Sequence, residues 1–203
     1  MKRSKSLSRG LAIGLALLCG AGAGCIPSLH PIYTDADLMF DPGVVGAWRG
    51  AEGDTNGVET LEFTAADRTA YRLVYTDKEG LKGTFAVHLV RIGENLFFDV
   101  YPDRAGAKVN GYYQMHEFPV HTFAWVRQIR PELKCSFMSG DWLDKLLKAT
   151  PTALRHERVD DAVLISARTA ELKAFLAAHV KTPGAFGEPS VWTPVGAPPA
   201  GRP

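Results

Sequence analysis

Between residues 58 and 138 the chain alternates apolar and polar residues, and this alternation limits the folds open to it. In residues 58–63, Leu61 and Phe63 fall on one face of an extended chain, and Thr60 and Glu62 fall on the other. A period of two residues is that of a β-strand with one buried face, whereas an amphipathic helix repeats about every 3.6 residues. The pattern therefore predicts strands whose apolar faces share a core.

Further predicted strands follow at regular intervals. They are residues 71–75, 81–91, 96–101, 120–127 and 132–138. Two of the turns between them contain Gly80 and Gly93, and glycine adopts the positive φ that tight hairpins need. Short strands joined by tight turns predict a mainly β domain, an antiparallel meander that is either curled or closed into a barrel.

The last third of the chain mixes the two periods and predicts two short helices and one strand. Residues 141–148 place their apolar residues on one helical stripe, with Ser139 or Asp141 as the N-cap. Residues 169–180 predict a second amphipathic helix. Between the helices, the apolar run at residues 162–166 predicts a buried strand.

A short motif precedes the first predicted strand pair. Gly46-Ala47-Trp48 resembles the Gly-x-Trp sequence at the start of lipocalins and their relatives, in which the tryptophan plugs one end of an up-and-down barrel. The resemblance implies a lipocalin-like barrel with Gly46 and Trp48 as structural residues. Two predicted helices after the strands differ from the lipocalin pattern of one helix, so strand number and barrel closure stay open.

The first 24 residues predict an export signal. Lys2, Arg3, Lys5 and Arg9 are followed by the apolar run at residues 11–18 and then by five small residues. The apolar run is too short for a helix that spans a bilayer, which needs about 20 apolar residues. We therefore expect residues 1–24 to be removed on export.

The end of this signal resembles the cleavage site of bacterial lipoproteins. Gly22-Ala23-Gly24-Cys25 stands where that family has small residues before a cysteine that becomes the lipidated N-terminus. The resemblance implies fatty acyl chains such as palmitate on Cys25, and attachment to a membrane through them. Gly22 departs from the family's usual aliphatic residue, and ordinary cleavage without lipid is the alternative. Because Ile26 rather than Asp follows Cys25, the resemblance also implies the outer membrane, facing the periplasm.

Charge and cysteine content narrow the function classes. The chain has 23 basic and 22 acidic residues, and four of the basic residues lie in the predicted signal, which leaves 19 basic and 22 acidic residues, a formal net charge of −3. A slightly acidic surface argues against nucleic acid as a partner. Cys19 leaves with the signal and Cys25 is predicted to carry lipid. Cys135 then remains alone, which excludes a disulfide or a multi-cysteine metal site within the mature chain.

The residues with catalytic potential form no recognised motif. Cys135 could act as a nucleophile with a histidine partner, but alternation places it on an apolar strand face, which favours a buried thiol. His116 and His121 are five residues apart, a spacing that puts them on opposite faces of a strand. His88 is the third candidate histidine. We predict no metal site and no cofactor, and we favour a binding role over an enzymatic one.

These observations divide the chain into four parts. They are a signal at residues 1–24, a lipidated extended tether at 25–43, a single β-rich domain at 44–182, and a Pro/Gly-rich disordered tail at 183–203. An extended tail is the alternative, in which the apolar pair Val191-Trp192 either docks on the domain or has no role. Three functions stay open. The first is a lipid-anchored envelope domain that binds a partner protein or a small apolar ligand. The second is an envelope hydrolase that uses Cys135 or a histidine, and the third is a purely structural envelope lipoprotein.

Overall fold

The fold is built on long antiparallel strands, with short helices outside them. The computed structural model describes residues 25–50, 57–103, 110–159 and 162–196. The strands are β1 (Leu38–Met39), β2 (Gly46–Gly50), β3 (Thr60–Ala65), β4 (Ala70–Thr76), β5 (Lys82–Ile92), β6 (Asn95–Pro102), β7 (Thr122–Gln128), β8 (Leu133–Phe137), β9 (His156–Val159), β10 (Ala162–Ile165) and β11 (Ser190–Pro194). The helices are α1 (Gly111–His116), α2 (Gly140–Ala149) and α3 (Thr169–His179).

Eight of these strands close into a barrel. Strands β2 to β8 pair in sequence order, and β11 pairs with both β8 and β2 to complete the ring. Strand β1 lies outside this ring and pairs with β5. All the pairings are antiparallel. The prediction of a mainly β domain with an antiparallel meander is confirmed, and the meander is closed rather than merely curled. This is the lipocalin-like architecture that the Gly-x-Trp motif implied.

The closing strand comes from a segment that the sequence predicted to be disordered. Within β11, Trp192 lies opposite Leu133 of β8 on one side and opposite Gly50 of β2 on the other. The prediction of a disordered tail at residues 183–203 is therefore wrong for Ser190–Pro194. The physical reason is that β2 and β8 would otherwise leave a row of unpaired backbone groups, and Val191-Trp192-Thr193 consists of residues that favour strands.

Two apolar cores share the barrel wall. Inward side chains such as Trp48, Val87 and Phe98 form the core inside the barrel. Outward side chains of β5, β6 and β7, including Phe97 and Phe123, pack in a second core with buried residues of α2 and α3. Strands buried on both faces lose the strict alternation, which explains why β6 has apolar residues on both faces, interrupted only by Asp99.

The two helices predicted in the last third are confirmed, and α2 has the predicted Ser139 N-cap. In α2 the Ser139 hydroxyl accepts a hydrogen bond from the Trp142 amide at 3.3 Å, and Leu143 and Leu147 are buried against the barrel. In α3 the buried residues include Phe175, which the predicted apolar stripe contained. A third short helix, α1, lies in the β6–β7 connection and was not predicted.

Residues 25–43 belong to the folded domain, and the prediction of an extended tether there is wrong. Ile26 and Ile32 are buried in the outer core, and β1 pairs with β5. The Asp37 carboxylate forms an ion pair with Lys173 of α3. The proline content suggested an extended chain, but the aliphatic residues between the prolines gain more from burial than they would in a solvated tether.

The barrel is plugged at one end by Trp48. Its side chain is fully buried, and its Nε1 donates a hydrogen bond to the carbonyl oxygen of Val44 at 2.9 Å. The guanidinium of Arg130, which lies in the β7–β8 connection, covers the indole ring at 4.6 Å from its centroid. Gly46 adopts a φ of 135°, which a residue with a side chain rarely adopts. Both residues of the motif therefore have structural roles at this end.

The role of β11 gives a direct test of the closure. A chain that ends at Gly187 lacks β11, so its β2 and β8 edges are unpaired and the packing of Trp192 is lost. We expect its melting temperature to fall by roughly 10 °C, since loss of a packed tryptophan alone costs several kcal/mol. Thermal unfolding followed by circular dichroism measures this. A chain that ends at Gly196 is the matched control, and equal melting temperatures for the two would contradict the closure.

Candidate functional site

The barrel interior is not filled at the end opposite Trp48. A cavity of about 520 Å³ opens there, a volume in the range of pockets that bind small organic molecules. Its wall is mostly apolar and consists of inward side chains from seven strands, together with residues at the mouth. The lining residues are Cys25, Glu59, Leu61, Phe63, Leu73, Tyr75, Phe85, Val87, Phe98, Val100, Thr122, Ala124, Leu133, Cys135, Phe137, Ser190 and Trp192.

The position of the cavity follows from where the strands begin and end. Thr122 starts β7, Ser190 starts β11, and Phe137 ends β8, so all three lie at the same end of the barrel. The 3-10 turn at Pro42–Val44 and the β7–β8 connection cover the other end. The alternation in the sequence predicted which side chains point inward, and those of β3, β4 and β5 in the lining agree with it.

The mouth of the cavity contains one hydrogen-bonded polar pair. The Tyr75 hydroxyl donates to Glu59 Oε1 at 2.6 Å, across the β3–β4 pairing. Burial raises the pKa of Tyr75 well above its usual range, and the Glu59 carboxylate adds to this increase. Tyr75 is therefore a neutral donor at physiological pH. Glu59 and Tyr75 were not among the candidate site residues from the sequence. Alternation predicts whether a side chain points into the barrel, but it does not predict how far along the barrel axis that side chain lies.

Cys135 lies in the cavity wall and is not an activated nucleophile. Its side chain points inward between Leu133 and Phe137, and it is only 7% exposed. Desolvation raises the pKa of the thiol to about 12, so the thiolate needed for nucleophilic attack is disfavoured at neutral pH. The predicted buried thiol is confirmed, and the geometry gives no support to Cys135 as a catalytic residue.

Cys25 lies beside the cavity mouth. It is an exposed free cysteine, and it also lines a second pocket of about 430 Å³ next to the first turn of α2. From Ile26 onward the chain packs against the barrel wall, and Ser28 exchanges backbone hydrogen bonds with His121 at 2.8 Å. A group attached to Cys25 would therefore be held at the open end of the barrel.

The three candidate histidines do not form one site. His116 is exposed on α1, where its Nδ1 lies 2.8 Å from the carbonyl oxygen of Tyr112. His121 and His88 are instead on the outer face of the barrel, on either side of Asp99. The hypothesis of a site built from His116 and His121 is therefore not supported by their positions.

Asp99 is a buried carboxylate that organises the outer face. Its Oδ1 lies 2.7 Å from His121 Nδ1, and its Oδ2 accepts a hydrogen bond from the Ile32 amide at 2.9 Å. His88 lies opposite Asp99 in the β5–β6 register, and its ring is 4.5 Å from that of Tyr33. The cluster fastens the N-terminal segment to the barrel. Asp99 was not predicted as important, although a charged residue within the apolar run of β6 was a signal for it.

Two connections that leave the open end of the barrel carry exposed apolar residues. One of them, Leu81, immediately precedes β5. Four more lie in the β6–β7 connection, on α1 or just after it. This mouth rim consists of Leu81, Tyr112, Tyr113, Met115 and Phe118, which are between 53% and 78% exposed. Exposed apolar side chains in neighbouring connections are typical of surfaces that meet a membrane or another protein.

Searches for metal sites and membrane spans give negative results in the part of the chain that the structure describes. No group of three or more histidine, cysteine or acidic side chains is placed to hold a metal ion among these residues. None of the helices in the same residues combines the length and the apolar character that crossing a membrane requires.

No protein-family model matches the chain, and searches of curated proteins and of solved structures find no significant match. Evidence for function therefore comes from the cavity, its mouth and the outer-face cluster.

The half-buried His88 makes stability depend on pH. Desolvation lowers the pKa of His88 below its ordinary value of 6.5, outweighing the opposite effects of Asp99 and Asp67, and His121 lowers it further. The unfolded chain therefore binds a proton that the folded chain does not, and the free energy of unfolding falls as the pH drops below 6.5. We expect His88→Phe to lose less stability than the wild type between pH 7.5 and pH 5.5 in urea unfolding.

His116→Phe is the matched control for this measurement, because it removes an exposed histidine and keeps His88. Its pH dependence should follow that of the wild type. If His88→Phe and the wild type lost the same stability over this interval, burial of His88 would not be the cause.

Proposed function

We propose that the protein is a lipid-anchored bacterial envelope protein that binds a small apolar ligand inside its barrel. The observation that carries the proposal is the open apolar cavity of about 520 Å³. A barrel with a purely structural role gains stability from a filled interior, because protein interiors are normally close-packed. A cavity bounded by Leu61, Phe85 and Val100 instead offers apolar surface to a ligand.

The location in the proposal depends on the signal and on Cys25. Residues 1–24 have the pattern of an export signal, and the residues before Cys25 resemble the lipoprotein cleavage site. In support, the side chain of Cys25 is exposed and therefore available for acylation. Several acyl chains on one cysteine would attach the protein stably, whereas a single chain binds a bilayer only marginally. Ile26 after the cysteine favours the outer membrane.

The cavity and the anchor also support each other. Cys25 lines the mouth, so acyl chains on it would bring the open end of the barrel to the bilayer surface. The mouth rim is apolar and exposed there, which suits contact with lipid. An apolar ligand could then pass between membrane and barrel without crossing bulk water, a transfer that costs about 25 cal/mol per Å² of apolar surface.

The proposal of a ligand site is tested by blocking the cavity. Leu61→Trp places a larger side chain in the lining, and we expect it to weaken binding of the neutral probe Nile red by about tenfold, since overpacking costs about 1–3 kcal/mol. Fluorescence titration of the purified protein measures the affinity. The neighbouring Glu62 points outward and is exposed, so Glu62→Trp is the matched control. Absence of binding to the wild type, or equal affinities in the two variants, would contradict the proposal.

The anchor is tested by acylation. When the full chain is expressed in a bacterium supplied with labelled palmitate, we expect label on the wild type, no label on Cys25→Ser, and full label on Cys135→Ser. The last variant is the control, because Cys135 is buried in the barrel wall. The mass of the purified wild-type chain should show cleavage before Cys25. Unlabelled wild type would indicate ordinary signal cleavage instead.

A further inference from the structure

Among the described residues, the lining of the cavity has a single carboxylate. This is Glu59, which lies at the mouth beside the Tyr75 hydroxyl. Such isolated polar groups in an apolar pocket fix the orientation of a ligand, because they require partners once water is displaced. The mouth therefore selects the polar end of an amphiphile whose apolar part lies deeper in the barrel.

Within the described β4–β5 hairpin, the charges that act on this polar pair are negative. Besides Glu59, the carboxylates of Asp77 and Glu79 in the β4–β5 turn act on Tyr75, and both raise its pKa. Lys78 and Lys82 of the same hairpin are exposed, and Lys82 alternates with the inward Gly83, so it points away from the interior. A ligand head in the mouth thus lies nearer to carboxylates than to the cationic groups of this hairpin.

The hydrogen-bonding capacity of the Glu59–Tyr75 pair also favours a ligand head that donates hydrogen bonds. Tyr75 already donates its proton to Glu59, and an ionised carboxylate accepts hydrogen bonds and donates none. Glu59 retains further lone pairs for a ligand donor, whereas an anionic head would face a like charge in a partly desolvated mouth. A protonated amine donates hydrogen bonds and carries the charge opposite to that of Glu59, whereas a hydroxyl donates a hydrogen bond and is neutral.

We propose that the cavity binds single-chain amphiphiles whose head is a hydrogen-bond donor, with a protonated amine preferred to an alcohol and an alcohol preferred to a carboxylate. The alkyl chain lies along Leu73, Val87 and Phe98, and the head donates to Glu59 at the mouth. This inference rests on the proposed ligand-binding function and specifies the chemistry of the ligand.

Competition among three probes of equal chain length tests the inference. Dodecylamine, dodecanol and dodecanoate compete with Nile red for the wild-type protein at pH 7, each below the concentration at which it forms micelles or separates from water. We expect dodecylamine to bind about tenfold more tightly than dodecanoate, as a partly exposed ion pair allows, and the difference should shrink in high salt. Equal or tighter binding of dodecanoate would overturn the inference and leave the ligand-binding function in place.

Variants of the polar pair identify the cause. Glu59→Gln keeps the size and an acceptor oxygen, so it should fold normally and remove most of the preference for the amine, while the affinity for dodecanol changes little. Glu62→Gln removes an equal charge from the outer face of the same strand and should keep the preference. If Glu59→Gln retains the preference, the assignment to Glu59 fails. If none of the three probes displaces Nile red, the proposed function itself fails.

Discussion

The structure depends on the pairing of β11 with both β2 and β8. Without it, seven strands would form an open sheet with two exposed edges, and the inward face would be open to water along one side. With it, the interior has a continuous wall, and solvent reaches it only from the ends. One end is plugged by Trp48 and covered by Arg130. The cavity is therefore a consequence of closure combined with plugging at one end.

The barrel wall packs against an apolar core on each of its two faces. The same strands that line the cavity through Phe98 and Val100 bury Phe97 against the helices outside. Asp99 lies between these residues and accepts hydrogen bonds from the N-terminal segment and from His121. A strand with apolar contacts on both faces and a fixed carboxylate has little freedom to move inward. Contacts on both faces favour an interior that stays partly empty without collapse, and under the proposed function the site would be formed before a ligand arrives.

Local patterns in the sequence predicted most of the strands, and they also predicted α2 and α3. Alternation identified the inward face of β3 and β5, and the Gly-x-Trp resemblance identified the role of Trp48. The features that the sequence did not predict depend on contacts between residues that are far apart in the chain. β11 is too short and too rich in neighbouring proline to be recognised without the two edges that it joins. The sequence could not predict the cavity either, because a filled and an unfilled barrel have the same alternation. The Glu59–Tyr75 pair could be recognised only once the positions of both residues along the barrel axis were known.

The packing of residues 26–43 against the barrel has a consequence for what the protein can meet. In many anchored proteins a long flexible segment gives the domain reach, so that it searches a volume around its point of attachment. Here Ile26 and Ile32 are buried within a few residues of Cys25. A protein anchored at Cys25 would have almost no reach and a nearly fixed tilt. Such a protein would meet only molecules that diffuse to the part of the bilayer where it is anchored.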